Sequence, residues 1–499
     1  MSPSTWITSS WQRDDHHAAA AVAPLVVLAG LAVSLGLIRM SLPIVFPATP
    51  NRPSSPNKKR SSLGTNEHHF ARAAVEHSSA QRIFYAMRID ESNSSTARKI
   101  SVEKIRHAAR VLHKIHPVLK CTLVRNEESG RLEYEEGDFE LPVLERFNST
   151  ARQVFDSEAE LLPLELGQPP HKIWLIRLPD KDQFDIVLDF QHFAIDGSSL
   201  VQLMHNLLSL CLTETLADID SFSAGTWPQI QANALQATAR DWTISRRARG
   251  WFYSLTNLLG PLLFSPFTRI PTNGCTSTFA NRSKCCLQTL SPDETAKFLQ
   301  VCKKQGLTVT TMCAAAFSKS IADELVRLGV SNAPKLQLCF VVDTRGVCVP
   351  PVSPNDMSIH AASLPPCMTP TENLSVFDLA RNFRSFIVQH LPRLLDYAHL
   401  LADRLSGLQP AHVFCPSLVV SSWSAKPPIL PKYQTSAVVG AELFQNVAHT
   451  GWLALSVYSP VKDGPLCLSL FAAVPRFDPE LVERISQGGI ENIKRTLRE

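Results

Sequence analysis

The chain has no GxSxG elbow, no HExxH helix and no CxxC pair. The first absence removes the usual seat of a serine-hydrolase nucleophile, the second a helical zinc-hydrolase site, and the third the common redox and structural-zinc spacing. Charge is sparse as well, at 19% of 499 residues with a net of +4. Beyond the first 60 residues Lys and Arg form no block or stripe, which argues against nucleic acid as a partner. A lone "VVGAE" near residue 440 does not make a dinucleotide or phosphate loop. Twelve cysteines are present, but they are thinly spread and only Cys285 and Cys286 are neighbours. They read as free, buried thiols in a reducing compartment.

What is present suits an enzyme-sized globular chain. The length allows two domains of roughly 200 residues each, with sizeable cores. A hydrophobic fraction of 44%, with 24 Phe and 35 Pro, fits apolar cavities joined by many loops. Asn93, Asn148, Asn281 and Asn373 stand in N-x-S/T sequons, which take glycans only in a lumenal compartment.

The N-terminal region differs from the rest. After a tail over 1–17, "AAAAVAPLVVLAGLAVSLGLI", Ala18 to Ile38, runs 21 residues without a charge, and apolar character resumes to residue 47. At 1.5 Å per residue the run reaches about 30 Å, the hydrocarbon thickness of a bilayer. The expectation is a single-pass membrane anchor over 18–47, with a cleaved targeting segment as the alternative. Arg39 and Lys58 to Arg60 follow it, so the body would face the cytosol, in a membrane such as the endoplasmic reticulum. Without a true span the protein would be cytoplasmic. Residues 48–66, rich in Pro, Ser and Asn, read as a flexible linker.

From residue 67 the pattern is that of folded α/β structure, divided into an N-terminal domain (67–214), a crossover (215–282) and a C-terminal domain (283–499). A strand is expected around Ile83 to Ile89. Ile105, Ala108, Ala109, Leu112 and Ile115 recur at helical spacing up to Pro117, and Leu119 to Val124 alternates as a strand. Residues 126–140 read as an acidic loop, and "HKIWLIRLP" with "FDIVLDFQHF" as paired strands. In the second half Ser291 is the expected cap of a helix ending before Gly306. Lys303 and Lys304 at its end are simple dipole partners. A second helix is capped at Thr308 or Thr310. "KLQLCFVVDTRG" and "HVFCPSLVVSSWS" read as strands, and "GWLALSVYSPVKDGPLCLSLFAA" as a hairpin.

The chemical signal is "QHFAIDGSS", residues 191–199. It sits where a strand gives way to a helix whose Leu200, Met204, Leu207, Leu208 and Cys211 share a face. A histidine held in reach and left neutral is the natural base for an alcohol proton near neutral pH. Asp196 would serve His192 either by accepting a bond from Nδ1 or by pinning the turn that presents it. Gly197 would let the helix start close by. The plainer alternative is a structural histidine at a strand end.

This stretch resembles the HHxxxDG motif of the chloramphenicol acetyltransferase-like superfamily. That superfamily includes nonribosomal peptide condensation domains, plant acyltransferases, mycobacterial polyketide-associated acyltransferases and fungal alcohol acetyltransferases. His192, Asp196 and Gly197 match the second histidine, the aspartate and the glycine; Gln191 replaces the first histidine. The resemblance runs from about residue 68 to 495, through "SSAQRIFYAMRID", "HPVLKCTL", "LSPDETAKFLQVCKKQGLTVTTMCAAAFSKSIA", "VVDTRG" and "SLVVSSWS". The plant Asp-Phe-Gly-Trp-Gly signature is missing, so the chain looks closest to the alcohol acetyltransferase branch.

The resemblance implies an α/β fold of two similar sandwich domains, a pseudo-dimer with a tunnel between them. It implies an acyl-CoA-dependent O-acyltransferase, with His192 as general base, acyl-CoA as cosubstrate and a hydrophobic alcohol as acceptor. Asp343 and Arg345 would support the interdomain core, and Ser421, Ser422 and Trp423 are candidates for oxyanion or substrate contact. No metal, tightly bound cofactor or nucleic acid is expected, and the state expected is a monomer. The alternatives are a condensation-like enzyme taking its acyl group from a carrier protein's phosphopantetheine arm, and a catalytically silent member of the fold.

Overall fold

The computed structural model describes residues 58–63, 65–76, 82–92, 100–158, 164–179, 182–212, 219–222, 267–273, 282–345, 357, 359–364, 367–391, 416–424, 438–447 and 451–499. All fall in the second of two compact units, Pro53–Glu499. The single-pass localisation is corrected here, together with the membrane and transmembrane-helix assignments. Among the described residues no helix is long and apolar enough to cross a membrane. A span needs about 20 apolar residues in succession, and the longest described helix, Val309–Arg327, carries Lys319, Asp323, Glu324 and Arg327. The segment 18–47 itself lies outside the described residues, as does most of the crossover.

Described elements run in the order β1 (Arg60–Ser62), α1 (Thr65–Glu76), β2 (Arg82–Asp90), α2 (Val102–Ile115), β3 (Cys121–Arg125), β4 (Leu132–Glu136), β5 (Val143–Phe147), α3 (Ala151–Glu158), β6 (His171–Arg177), β7 (Gln183–Gln191) and α4 (Gly197–Cys211). The second half continues with β8 (Arg282–Leu290), α5 (Pro292–Lys304), α6 (Val309–Arg327), β9 (Lys335–Asp343), β10 (Ala361–Ser363), β11 (Cys367–Pro370) and α7 (Val376–His390). It closes with β12 (Leu418–Ser424), β13 (Val438–Gln445), β14 (Leu453–Ser459), β15 (Leu466–Val474) and α8 (Pro479–Thr496).

These build two sheet-rich lobes. The first holds a five-stranded sheet, β13-β2-β7-β6-β5, and a small sheet, β1-β4-β3. The second is one seven-stranded sheet, β10-β9-β12-β14-β15-β8, with β11 also on β9. One face of the second sheet turns toward the first lobe, because its Cys285, Tyr458, Cys467 and Phe471 bury into the first lobe's core. The other face, with Leu338, Val420, Leu455 and Leu468, packs into a separate core with Phe298, Phe317 and Phe383 of its helices. Arg152 of α3 joins the lobes further, donating to the Cys285 carbonyl at 2.9 Å while its guanidinium lies 4.9 Å from the Phe444 ring centre.

Local chemistry accounts for most boundaries. Ser291 caps α5 in a reciprocal box with Glu294, Gly306 turns the chain at φ +63°, and Thr308 caps α6. Four features depart from the expectations. Pro117–Lys120 forms a 3₁₀ turn, so β3 begins only at Cys121. Within the expected acidic loop Leu132 and Tyr134 alternate inward, and β4 pairs with β3. The stretch around "VVGAE" is strand β13, which leaves the second half to pair with β2. Helix α4 is buried on every side from Ser199 to Cys211. Its polar groups are satisfied inside: Ser209 donates to the His205 carbonyl at 2.7 Å, and His205 Nε2 donates to the Pro460 carbonyl at 2.9 Å.

Strand β7, which delivers His192, is anchored by Asp189. Arg82 of β2 grips both carboxylate oxygens, and Trp174 Nε1 of β6 donates to one of them at 3.1 Å. Asp189 is 1% exposed, so removing it breaks a buried ion pair. Asp189→Ala is expected to destabilise the protein by about 3–5 kcal/mol, measured as a drop in the urea midpoint at unchanged slope.

Candidate functional site

The site forms where β7 stops. Beyond Gln191 the backbone makes one 3₁₀ turn, His192–Ala194, and Asp196 then caps α4 in extended geometry, φ −100° and ψ 173°. His192 Nδ1 lies 2.9 Å from the Ile195 carbonyl oxygen. A carbonyl can only accept, so Nδ1 carries the proton and Nε2 keeps its lone pair. Burial pushes the imidazole below its ordinary value of 6.5, more than the neighbouring carbonyls and Asp196 raise it. The ring is therefore neutral at pH 7, as a base must be. Phe70 of α1 lies flat against it, with centroids 4.4 Å apart and planes 5° from parallel. Tyr134 of β4 holds the same turn from behind, its hydroxyl donating to the Phe193 carbonyl at 2.9 Å.

Asp196 does not bond the imidazole. One of its oxygens accepts from Ser199 N at 2.9 Å, and the other accepts from Arg345 Nη1 at 2.8 Å and His360 N at 2.9 Å. Burial opposes its ionisation, yet the Arg345 guanidinium and these donors hold its carboxyl below the usual value. Arg345 also donates to Ser199 Oγ at 2.6 Å and to Asp343 Oδ1 at 3.3 Å, and Ser198 Oγ donates to Asp343 Oδ2 at 3.3 Å. Of the two roles expected for Asp196, the geometry is that of pinning the turn.

Gly197 meets the third predicted group. A Cβ there would stand 2.8 Å from two atoms of the Trp423 indole, so only a glycine lets this ring close over the start of α4. Trp423 also stacks on Tyr458, centroids 5.3 Å apart. Strand alternation separates the two serines before it. Ser421 shares a face with Trp423 and pairs in register with Val341 and Ser456, whereas Ser422 pairs with Val457, a member of the helix-covered core. Among the described residues neither serine hydrogen-bonds His192. Lys303 and Lys304 are exposed at the end of α5.

The structure thus brings His192, Asp196, Gly197, Asp343, Arg345 and Trp423 to one junction, and turns Ser422 away. Sequence reasoning missed Phe70, Tyr134, Ser199 and His360. Ser199 had a signal: an aspartate just before an apolar helix caps it through the N–H three residues on. Phe70, Tyr134 and His360 are distant in sequence and had none. Among the described residues no cluster of His, Cys, Asp and Glu is placed to hold a metal ion.

The fold is shared with solved structures of an O-acetyltransferase, a nonribosomal peptide synthetase bidomain and a polyketide synthase associated protein. Residues 281–456 match the family described as the phthiocerol/phthiodiolone dimycocerosyl transferase C-terminus, which covers less than half of the chain. No curated protein matches the chain. The trichothecene 15-O-acetyltransferase from Fusarium sporotrichioides superposes with a TM-score of 0.68 at 14% identity, over 91% of this chain and 100% of that one. The EpoB nonribosomal peptide synthetase cyclization-docking bidomain from Sorangium cellulosum gives 0.63 at 16%, over 98% and 93%. Polyketide synthase associated protein 5 from Mycobacterium tuberculosis gives 0.61 at 15%, over 88% and 100%. At these identities the likeness is one of fold.

Two substitutions test the junction. Arg345→Met leaves the Asp196 carboxylate buried without its cation, and about 3–5 kcal/mol of stability should be lost at pH 7. In the wild type the lowered Asp196 pKa stabilises the fold above the unfolded value and is lost in acid; in the variant burial reverses this, so the gap between the two proteins should narrow from pH 7 to pH 4. Gly197→Ala drives a methyl into the indole, and thermal melts should report a loss of about 1–3 kcal/mol.

Proposed function

We propose that the protein is an acyltransferase that moves an acyl group from a thioester to the hydroxyl of a hydrophobic acceptor, with His192 as general base. The observation that carries this reading is the His192 Nδ1 bond to the Ile195 carbonyl, which leaves Nε2 as the acceptor of a proton. The two lobes, approximately 67–214 and 283–499, would act as a pseudo-dimer with the reactants meeting in a tunnel between them. Nε2 removes the hydroxyl proton as the oxygen attacks the thioester carbonyl carbon. The tetrahedral intermediate then collapses, the C–S bond breaks, and the thiolate takes the proton back from the imidazolium. Products are an ester and a free thiol, with no acyl-enzyme. Ser421, on the face of β12 that carries Trp423, is the retained candidate for an oxyanion donor. Asp196, Arg345 and Asp343 hold the turn in register.

The donor reading that draws more support is an acyl group on a carrier protein's phosphopantetheine arm. The similar cyclization-docking bidomain is part of a nonribosomal peptide synthetase, and it aligns along nearly the whole chain. Free acyl-CoA, in an alcohol acetyltransferase-like enzyme, is the second reading, supported by the structural likeness to an O-acetyltransferase. Both donors present the same pantetheine thioester to the base.

The full chain should release free thiol from acyl-carrier protein or acyl-CoA only in the presence of an alcohol. His192→Ala should lower kcat at least about 100-fold with the fold intact by circular dichroism. Because the base works unprotonated and its pKa lies below 6.5, kcat/KM should be flat from pH 7 to 8 and fall in acid with a midpoint below 6.5. Thiol release unchanged in His192→Ala would sink the assignment. No release from either donor would point to the silent member of the fold.

A further inference from the structure

We infer that Phe70 is a positioning residue of this site: its ring, lying flat on one face of His192, fixes the plane in which Nε2 meets the acceptor hydroxyl. The inference rests on the general-base reading of His192. A bond from Nδ1 to the Ile195 carbonyl restrains the imidazole at a single atom, and a ring held at one atom still rocks about that contact. A near-parallel neighbour 4.4 Å away removes the rocking. Together the two contacts fix the Nδ1 edge and one face of the ring.

Helix α1 is seated firmly enough to serve this purpose. Phe70, Ala71, Ala74 and Val75 recur at helical spacing; Ala71 and Ala74 are in the core and the other two pack against it. The Ala74 carbonyl also accepts from Leu164 N at 2.9 Å. Phe70 is partly buried, packing against the core at one side and against the His192 ring with its flat face. The charged group acting on the imidazole is Asp196, itself paired with Arg345; α1 contributes Glu67, His68 and Arg72 nearby in sequence. An apolar ring over the imidazole takes the place of water, which disfavours the protonated form and keeps the base free.

The test uses the full chain with Phe70→Leu and Phe70→Tyr. The imidazole titration of His192 is followed by NMR, its resonance identified by disappearance in His192→Gln, alongside kcat, KM and Tm. Phe70→Leu should move the midpoint up toward 6.5 and lower kcat about tenfold or more, with KM within about twofold. Phe70→Tyr, which keeps the flat ring, should stay near wild type in both. A folded Phe70→Leu protein with unchanged midpoint and kcat would overturn the inference, as would a raised KM at constant kcat, which marks a substrate contact instead. Full activity in His192→Gln would overturn the base reading itself, and the two failures are therefore distinguishable.

Discussion

The carboxylate of Asp196 is where the two lobes are tied. Ionised groups of this kind lose several kcal/mol each on leaving water, and recover it only when every lone pair and proton finds a partner. Here one lobe supplies the carboxylate and the Ser199 donors, and the other supplies Arg345 and the His360 amide. Each half keeps a partner of its own, Ser199 N for Asp196 and Asp343 for Arg345, while the charge-assisted bond between them crosses the lobes. A separation of the lobes by a few ångströms would break that bond and the one from the His360 amide together, so the junction favours closure. The indole of Trp423 closing over Gly197 gives the same register a steric definition.

Because Asp196 is committed to that tie, the imidazole has to be oriented by something else. The Ile195 carbonyl does it from within the same turn, and the choice has an electrostatic consequence. A carboxylate bonded to Nδ1 would favour the imidazolium, whereas a neutral carbonyl favours it far less, and burial then decides the protonation state. The lobes are held by charge while the imidazole is kept neutral, in residues only four positions apart.

Much of this was legible in order along the chain. The switch from strand to helix at residues 191–197 and the caps at Ser291 and Thr308 follow from short-range rules that act within a few residues, whereas the meeting of Arg345 with Asp196, 149 residues apart, is expected only from the family resemblance. What escaped was long-range. Strand β13 joins a sheet more than 340 residues upstream of it, and the faces of Ser421 and Ser422 depend on which partner strand sets the register. Helix α4 looked one-sided because Gln202, His205, Asn206 and Ser209 are polar; it is buried all round because those groups bond to one another and to the Pro460 carbonyl. Composition cannot distinguish a polar residue facing water from one satisfied inside.

The same distinction bears on how His192 is held. Its ring is constrained by α1 through Phe70, its turn by β4 through the Tyr134 hydroxyl, and its strand by β2 and β6 through Asp189. These constraints act on different degrees of freedom: ring plane, backbone position and strand register. A single constraint would fix the atom only to within the slack of one side chain, and proton transfer is sensitive to displacements of about 1 Å. Independent supports from separate elements reduce that slack along each axis in turn. Gln191, in place of the superfamily's first histidine, pairs in register with Arg82 and shares the sheet face of Asp189. The bonds that hold the imidazole and its turn, to the Ile195 carbonyl and from the Tyr134 hydroxyl, do not involve it.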